Sequence, residues 1–306
     1  MDKPLISYVV TAYNIEKYIE ESVQCAFQQT YSPLEIVLSD DCSTDQTYEI
    51  MKKMAEGYQG PHKIVLNKNE KNLGITKHMN KVYMEIATGK IIIAAHGDDL
   101  SSPERSQKYY EYFVKYPEIT ALSFSVDAFD DAGEMLKEHS AVVEKIHEYT
   151  FMGGGNIPAP SRAFYKQVME VFGPLNEDCP TEDELISFRA LMLGKNMFFP
   201  EHMVSYRKHK GSCSNPENFA KFPLDKILKQ QNDDMLKAIK LGYITEEQRI
   251  KKYNDLKEQK DIREKYRMYF SNRKIVDLIK LIIYPKVSLR LKLHYIKEHV
   301  EYIRKK

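Results

Sequence analysis

Short apolar runs alternate with amphipathic segments through the first hundred residues, and this alternation restricts the chain to few folds. Apolar runs of strand length cover residues 5–10, 34–38, 63–67 and 91–95. The segments between them, at about 16–29, 45–56 and 75–87, carry apolar residues at helical spacing. Strands that alternate with helices predict an α/β fold, a mostly parallel sheet flanked by helices. Further along we predict strands at 119–129, 196–199 and 202–207, helices at 103–116, 161–171 and 182–194, and a loop over 134–160.

Acidic pairs follow two of the predicted strands at the point where each strand ends. Asp40 and Asp41 follow the second strand, and Asp98 and Asp99 follow the fourth. Ligands gather at the carboxyl ends of the strands in open α/β sheets. Either pair alone fits solvated loop charge or a helix cap. Together at one sheet edge, they indicate a cation such as Mg²⁺ or Mn²⁺ shared with a diphosphate.

The composition of the chain changes near Pro223. Residues 1–223 hold 23 basic and 32 acidic side chains, whereas residues 224–306 hold 22 and 12. We therefore predict a domain over 1–220 and a basic, mainly helical C-terminal extension over 221–306. The formal net charge of +1 and the lack of a nucleic-acid-binding motif argue against a nucleic-acid partner.

Several ordered motifs carry a family resemblance. They are Val9-Val10-Thr11-Ala12-Tyr13-Asn14, Asp40-Asp41-Cys42-Ser43-Thr44-Asp45, Asn72-Leu73-Gly74, His96-Gly97-Asp98, Thr181-Glu182-Asp183-Glu184 and Tyr206-Arg207-Lys208-His209. In this order, over about 4–215, they resemble the family 2 glycosyltransferases. Those are inverting enzymes with the GT-A fold, a Rossmann-like sheet, and they move a sugar from a nucleotide diphosphate to an acceptor.

The resemblance implies a set of nucleotide contacts. Its first-strand motif places Thr11, Tyr13 and Asn14 at the nucleotide, with the Tyr13 ring beside the base. The second-strand motif implies that Asp40 and Asp41 contact the base, with Asp41 preferred. The remaining implied contacts, to the diphosphate and ribose, are Asn72, Gly74, Asn80, His96 and Gly97.

The resemblance also implies a Mn²⁺ or Mg²⁺ cofactor. His96-Gly97-Asp98 occupies the place of the family's Asp-x-Asp, so Asp98 is the implied metal ligand, although His96 replaces the first acid. His96 is then either a donor to the ribose or a structural histidine. Asp99 supports the metal or caps the helix at Pro103, and His209 ligates the metal or contacts the diphosphate.

The acceptor side rests on two segments. By resemblance, Asp183 is the base that takes the acceptor proton, with Glu182 as the second choice. The same segment also fits a capping box from Thr181 to Glu184, and both descriptions can hold together. The family's acceptor pocket falls on Gly154, Gly155, Asn156 and Arg162, although glycines there also suit a plain loop.

The function implied is metal-assisted transfer of a sugar, from a UDP-sugar by preference, to a glycan or lipid-linked acceptor in cell-surface polysaccharide synthesis. Two alternatives stay open. One is a sugar nucleotidyltransferase, which normally has a Gly-rich phosphate loop after its first strand, where this chain has Thr11-Ala12-Tyr13-Asn14. The other is an inactive nucleotide-sugar-binding scaffold, suggested by His96.

The C-terminal extension is both apolar and basic. Ile275–Tyr284 is largely apolar, apolar and polar residues alternate over 287–294, and residues 273–306 hold ten basic and three acidic side chains. This composition suits an anionic membrane surface. It suits equally a face packed on the catalytic domain or on a second subunit in a homodimer. With no signal peptide or spanning segment, we expect a cytoplasmic protein, peripheral at the inner face of the membrane.

Overall fold

A computed structural model of the chain describes residues 3–153, 157–179, 182–212, 223–285 and 287–304. The chain forms two compact units, residues 1–212 and 213–306. The predicted boundary at 220/221 lies outside the described residues.

The first unit contains nine strands and six α-helices in its described residues. The strands are β1 (Ile6–Ala12), β2 (Leu34–Asp40), β3 (Lys63–Lys68), β4 (Ile91–His96), β5 (Leu100–Ser101), β6 (Ile119–Asp130), β7 (His147–Tyr149), β8 (Arg162–Tyr165) and β9 (Lys195–Lys208). The helices are α1 (Ile19–Phe27), α2 (Thr47–Gly57), α3 (Ile75–Lys81), α4 (Arg105–Lys115), α5 (Gln167–Phe172) and α6 (Glu182–Leu193). A π-helical turn, Val82–Ile86, continues α3, and 3-10 turns form at Lys137–His139 and Ala159–Ser161.

The described strands form one mixed sheet in the order β3-β2-β1-β4-β8-β6-β9-β5, with β7 paired to β9. Strands β1 to β4 pair in parallel, as the alternation of strands and helices predicts. Beyond β4 the directions mix, since β8 runs antiparallel to both β4 and β6 while β6 and β9 run parallel. All seven residues of β1 and of β2 are buried, because the sheet is covered on both faces.

The prediction of a helix over 161–171 is wrong. Residues Arg162–Tyr165 form β8, and α5 begins only at Gln167. Ala163 and Phe164 are fully buried and pair with β4 and β6, which are distant in sequence. This tertiary pairing overrides the local helical spacing. The strands predicted at 196–199 and 202–207 form the single strand β9, whose register shift opposite β6 accommodates Pro200.

The second unit, in its described residues, consists of α7 (Leu224–Lys240), α8 (Glu246–Asn272), α9 (Ile275–Ile282) and α10 (Leu289–Arg304). A capping box between Thr245 and Gln248 starts α8. A small core joins α8 to the later helices through Tyr269, Leu278, Leu281, Val287 and Tyr295. The segment 287–294, in which apolar and polar residues alternate, therefore lies mostly within α10. Across the described residues, none of the helices has the length and apolar character needed to cross a membrane.

Candidate active site

The carboxyl ends of β1, β2 and β4 meet at one edge of the sheet. The backbone N–H of Asp41 donates to Ala12 O at 2.9 Å, and that of Gly97 donates to Thr11 O at 2.9 Å. A Cβ on Gly97 would lie 2.6 Å from Ile15 and 3.1 Å from Thr11 O, so only glycine fits there without displacement. The loops after the three strands are therefore tied together.

The loops after β1 and β2 are joined by side-chain hydrogen bonds. Asn14 N donates to Ser43 Oγ at 2.9 Å, and Thr44 N donates to Asn14 Oδ1 at 2.8 Å. Asn14 and Cys42 both have left-handed backbones, with φ of 51° and 62°. Glycine adopts such a backbone at the lowest cost, so the left-handed conformation is strained for a residue such as Cys42. Beside these loops the Tyr13 side chain is 45% exposed, which leaves its ring accessible to a ligand.

The two carboxylates at the end of β2, Asp40 and Asp41, bind protein groups. Asp40 is fully buried and accepts hydrogen bonds from Ser43 N at 2.9 Å and from Ser43 Oγ at 2.5 Å. Asp41 accepts from Asn69 Nδ2 at 2.8 Å, Leu73 N at 2.9 Å and Gly74 N at 3.0 Å. Asp41 thus holds the loop after β3 against the sheet edge. The sequence predicted a contact of Asp41 with the base, but not this structural role.

The segment from Asn72 to Asn80 is held by further internal bonds. Asn72 Oδ1 accepts from Gly74 N at 2.9 Å, and Gly74 has a positive φ of 77°. Asn80 is buried, and its carboxamide bonds in both directions with the backbone of Leu175 at 2.8 Å. Asn80 therefore ties α3 to the chain that precedes α6.

A candidate metal site lies at the end of β4. One ligand atom each from His96, Asp98 and Asp99 can be chosen so that all lie within 4.8 Å of one another. Asp99 is buried; its Oδ1 accepts from Arg207 N at 2.9 Å, and its Oδ2 lies 3.5 Å from His96 Nδ1, outside good hydrogen-bond geometry. A buried carboxylate oxygen with so weak a partner is costly, and a divalent cation would satisfy it. The donor set of one imidazole and two carboxylates therefore fits such an ion.

The charges of this group influence one another. Burial, and next the nearby Asp98 carboxylate, raise the pKa of Asp99 to about 6. Burial alone would lower the pKa of His96, but the neighbouring carboxylates of Asp99, Asp98 and Glu182 outweigh it and raise the pKa. Negative charge is therefore concentrated here, as a cation site requires.

His209 contacts this group from the end of β9. Its Nε2 lies 3.0 Å from Asp98 Oδ2, and its ring centroid lies 4.7 Å from that of Tyr18. Gly211 N donates to Nδ1 at 3.1 Å, so the neutral ring carries its proton on Nε2, toward Asp98. For His209 to bind a metal through Nε2, that proton must move and the bond from Gly211 must break.

Arg207 fastens the same strand end across the site. Its Nε donates to Asp98 O at 3.1 Å, and its Nη2 lies 2.5 Å from Glu21 Oε2 on α1. Its guanidinium also stacks over the Tyr18 ring at 5.0 Å. The end of β9 is therefore attached both to α1 and to the metal group.

The residues predicted on the acceptor side lie on α6 and on β8. Glu182 is buried and lies 3.2 Å from Nη2 of Arg162, which is fully buried on β8. The Arg162 Nε and Nη1 atoms have no hydrogen-bond partner. Asp183 is half-buried in the first turn of α6, and its Oδ1 accepts from Glu184 N at 2.8 Å. Gly154, Gly155, Asn156 and the capping residue Thr181 lie outside the described residues.

Two features of the site were not predicted from the sequence. His96 joins the two carboxylates as a third candidate metal ligand, although its spacing from Asp98 and Asp99 already permitted this. Arg105 is fully buried and donates to Ala94 O at 2.7 Å and Pro160 O at 2.9 Å, which links β4 to the start of β8. No local pattern marks Arg105, because its partners are distant in sequence.

Comparisons with known proteins agree on one family. The model of the family described as Glycosyl transferase family 2 matches residues 7–170, more than half of the chain. An uncharacterized glycosyltransferase of Haemophilus influenzae is 27% identical over 97% of this chain and 92% of its own length. The putative teichuronic acid biosynthesis glycosyltransferase TuaG of Bacillus subtilis is 30% identical over 37% of this chain and 43% of its own length.

The solved structures show the fold. The crystal structure of S. aureus TarS 1-349 in complex with UDP-GlcNAc superposes with a TM-score of 0.61 at 17% identity, covering 97% of this chain and 80% of that one. At this identity the likeness concerns the fold alone. It confirms the predicted α/β GT-A fold with a C-terminal helical region.

Proposed function

Because the chain belongs to glycosyl transferase family 2, we propose that it transfers a sugar from a UDP-sugar to a glycan or lipid-linked acceptor of a cell-surface polysaccharide. The observation that carries the proposal is the group of His96, Asp98 and Asp99 at the sheet edge where the strand-end loops are tied together. The TarS complex contains UDP-GlcNAc, which supports a nucleotide-sugar donor, and the likeness to TuaG supports a polysaccharide acceptor.

The donor nucleotide would bind at the ends of β1, β2 and β4. The exposed ring of Tyr13 offers a surface for the base, and Asp41 holds the neighbouring loop in place. His96, Asp98 and Asp99 would hold Mn²⁺ or Mg²⁺, with His209 as a further candidate ligand. When bound, the ion supplies Lewis-acid stabilisation of the negative charge on the departing diphosphate.

The acceptor would react with inversion in a single displacement. Its hydroxyl oxygen forms a bond to the anomeric carbon as the bond from that carbon to the diphosphate oxygen breaks, and the bonding pair leaves with the diphosphate. Asp183, half-buried in the first turn of α6, would take the hydroxyl proton. Arg162 pairs with the neighbouring Glu182, which fixes that side chain beside the proposed base.

Transfer activity of point variants tests this proposal. Purified protein is given a panel of UDP-, GDP- and dTDP-sugars with Mn²⁺ and a glycan acceptor, and product is followed by mass spectrometry. Asp98→Asn and Asp183→Asn should each lower the rate at least about a hundredfold. The exposed acid Asp233, changed to Asn, is the matched control and should keep full activity. Unchanged transfer in both site variants would show the catalytic roles to be wrong.

Two additions to this assay separate the alternatives: a measurement of nucleotide-sugar binding, and a reaction given a sugar phosphate and a nucleoside triphosphate. An inactive scaffold would bind a nucleotide sugar without transferring or hydrolysing it. A nucleotidyltransferase would make a nucleotide sugar from a sugar phosphate and a nucleoside triphosphate, a reaction that family membership does not favour.

A further inference from the structure

Helix α10 carries an apolar stripe on its exposed side. Five aliphatic side chains are between 40% and 73% exposed: Leu289, Leu293, Ile296, Val300 and Ile303. They follow one another at intervals of four, three, four and three residues, so they form one continuous stripe along the helix. The buried residues Tyr295 and His299 face the core of the second unit, where His299 Nδ1 lies 3.1 Å from Tyr269 Oη.

Helix α9 has a similar exposed side. Four of its aliphatic residues, or those directly after it, are between 49% and 69% exposed: Ile275, Val276, Ile279 and Ile283. Leu278 and Leu281 of the same helix are buried in the small core. Aliphatic side chains exposed in such number on neighbouring helices mark an interaction surface.

Basic side chains border the stripe on α10. Lys297 and Arg304 are exposed on one side of it, and Lys292 is half-buried on the other. Two nearby acidic side chains, Asp277 and Glu298, are already paired with basic residues of the second unit. Asp277 is buried and lies 3.3 Å from Lys280 Nζ, while Glu298 accepts from Arg273 at 3.1 Å and from Tyr266 at 3.2 Å.

This distribution of charge argues against a second copy of the chain as the occupant. The stripe has the heptad spacing of a coiled coil, in which Lys292 and Lys297 take the two positions that meet across a parallel pair. In an antiparallel pair, Lys297 and Arg304 would meet equivalent basic side chains. Like charges at these positions destabilise either pairing.

We propose that the exposed sides of α9 and α10 dock on an anionic lipid membrane. The aliphatic stripe enters the boundary of the acyl chains, while the long basic side chains extend to the lipid phosphates. The sequence left two equal alternatives, a membrane or a face packed on the catalytic domain or on a second subunit, and the basic borders of the stripe favour the membrane. The proposal does not depend on the transfer chemistry.

Cosedimentation of the full chain with vesicles tests the proposal. One set of vesicles is pure phosphatidylcholine, and the other contains a third phosphatidylglycerol. The protein should pellet with the anionic vesicles only, and less so at high salt. Lys292→Gln, Lys297→Gln and Arg304→Gln should each lower the partition coefficient about fivefold, and together about a hundredfold.

Matched controls carry the same changes elsewhere in the second unit. The exposed lysines Lys240, Lys251 and Lys257 are changed to Gln together, and this triple variant should bind as the wild type does. Leu293→Gln with Ile303→Gln should weaken binding at least tenfold, whereas Leu236→Gln with Ile250→Gln, at exposed positions on α7 and α8, should not. Thermal unfolding verifies that each variant is folded.

Three results would overturn the proposal. One is a lack of binding to anionic vesicles. Another is an equal loss of binding in the stripe triple variant and in the control triple variant of Lys240, Lys251 and Lys257, which would mean non-specific attraction. The third is a dimer in sedimentation velocity that the Leu293→Gln and Ile303→Gln pair dissociates, which would make the stripe a contact between copies. None of these measurements uses a sugar donor or an acceptor. A negative result for membrane binding is therefore distinguishable from a negative result for the proposed transfer.

Discussion

Replacing the buried carboxylate of Glu35 should destabilise the first unit without altering the site. Glu35 lies on β2, near the amino end of the strand, and its side chain is fully buried. Its Oε1 accepts from Ser7 Oγ at 2.5 Å, Thr88 N at 2.6 Å and Gly89 N at 3.2 Å. Its Oε2 accepts from Thr88 Oγ1 at 2.7 Å and lies 3.4 Å from Lys63 Nζ. One side chain therefore joins β1, β2, β3 and the turn before β4.

The size of the effect depends on the substitution. Glu35→Ala leaves the buried Ser7 hydroxyl and the Thr88 N–H without their acceptor, at about 1–3 kcal/mol each, whereas Gly89 N still donates to Ser7 Oγ at 2.8 Å. The expected loss is about 4 kcal/mol. Glu35→Gln keeps Oε1 for these donors, and the Thr88 hydroxyl can turn to accept from the new amide. We therefore expect Gln to cost about 1–2 kcal/mol.

Urea unfolding followed by tyrosine fluorescence and far-UV circular dichroism measures these losses. Glu56→Ala removes an exposed carboxylate from α2 and is the control, with an expected change below about 0.5 kcal/mol. The reasoning would be refuted if Ala cost no more than Gln, or if either cost no more than the control.

The same carboxylate predicts a pH signature. Burial would raise the pKa of Glu35, but the bonds from Ser7, Thr88 and Lys63 outweigh burial and hold the pKa below its ordinary value of 4.5. Its stabilising contribution is therefore complete above pH 4.5 and is lost as the pH falls through the lower folded value. The stability difference between wild type and Glu35→Gln should shrink over the same range. A difference that does not change with pH would contradict the assigned bonds.

Two further predictions concern other buried groups. Arg105→Met leaves the carbonyls of Ala94 and Pro160 unpaired and should cost about 3 kcal/mol in urea unfolding, and a loss below 1 kcal/mol would show that these bonds contribute little. Burial lowers the pKa of His78 below its ordinary 6.5, so its contribution to stability is complete above pH 6.5 and falls as the pH drops through the folded value. His78→Gln should flatten the pH dependence of unfolding between pH 7 and 5, and an unchanged slope would assign it to other groups.

The first four strands and the helices between them could be predicted from the sequence within a few residues. Their hydrophobic periods are local properties of the chain, and β1 and β4 are buried on both faces. β8 could not be predicted, because Ala163 and Phe164 become a strand only by pairing with β4 and β6. The predicted family and fold are confirmed.

For the site, the sequence predicted polar residues at the carboxyl ends of β2 and β4, but it could not predict which groups their side chains bond. Asp41 holds the loop of Leu73 and Gly74 through partners more than 30 residues away. Asn80 bonds with Leu175, 95 residues along the chain. No sequence pattern encodes such pairs, since each depends on how the elements pack. The roles assigned to the nucleotide, metal and acceptor residues stay predictions.

The dependence of UDP binding on a divalent cation tests the central claim most directly. Thermal unfolding is measured with and without UDP at about 100 times its Kd, in Mn²⁺ and again in EDTA, for wild type and Asp98→Asn. Saturation at this level stabilises the fold by about 2.7 kcal/mol, so UDP with Mn²⁺ should raise the Tm of the wild type by roughly 5 °C or more. EDTA and Asp98→Asn should each remove most of that rise. An equal rise in EDTA, or in the variant, would show that the group of His96, Asp98 and Asp99 does not hold a cation for the nucleotide.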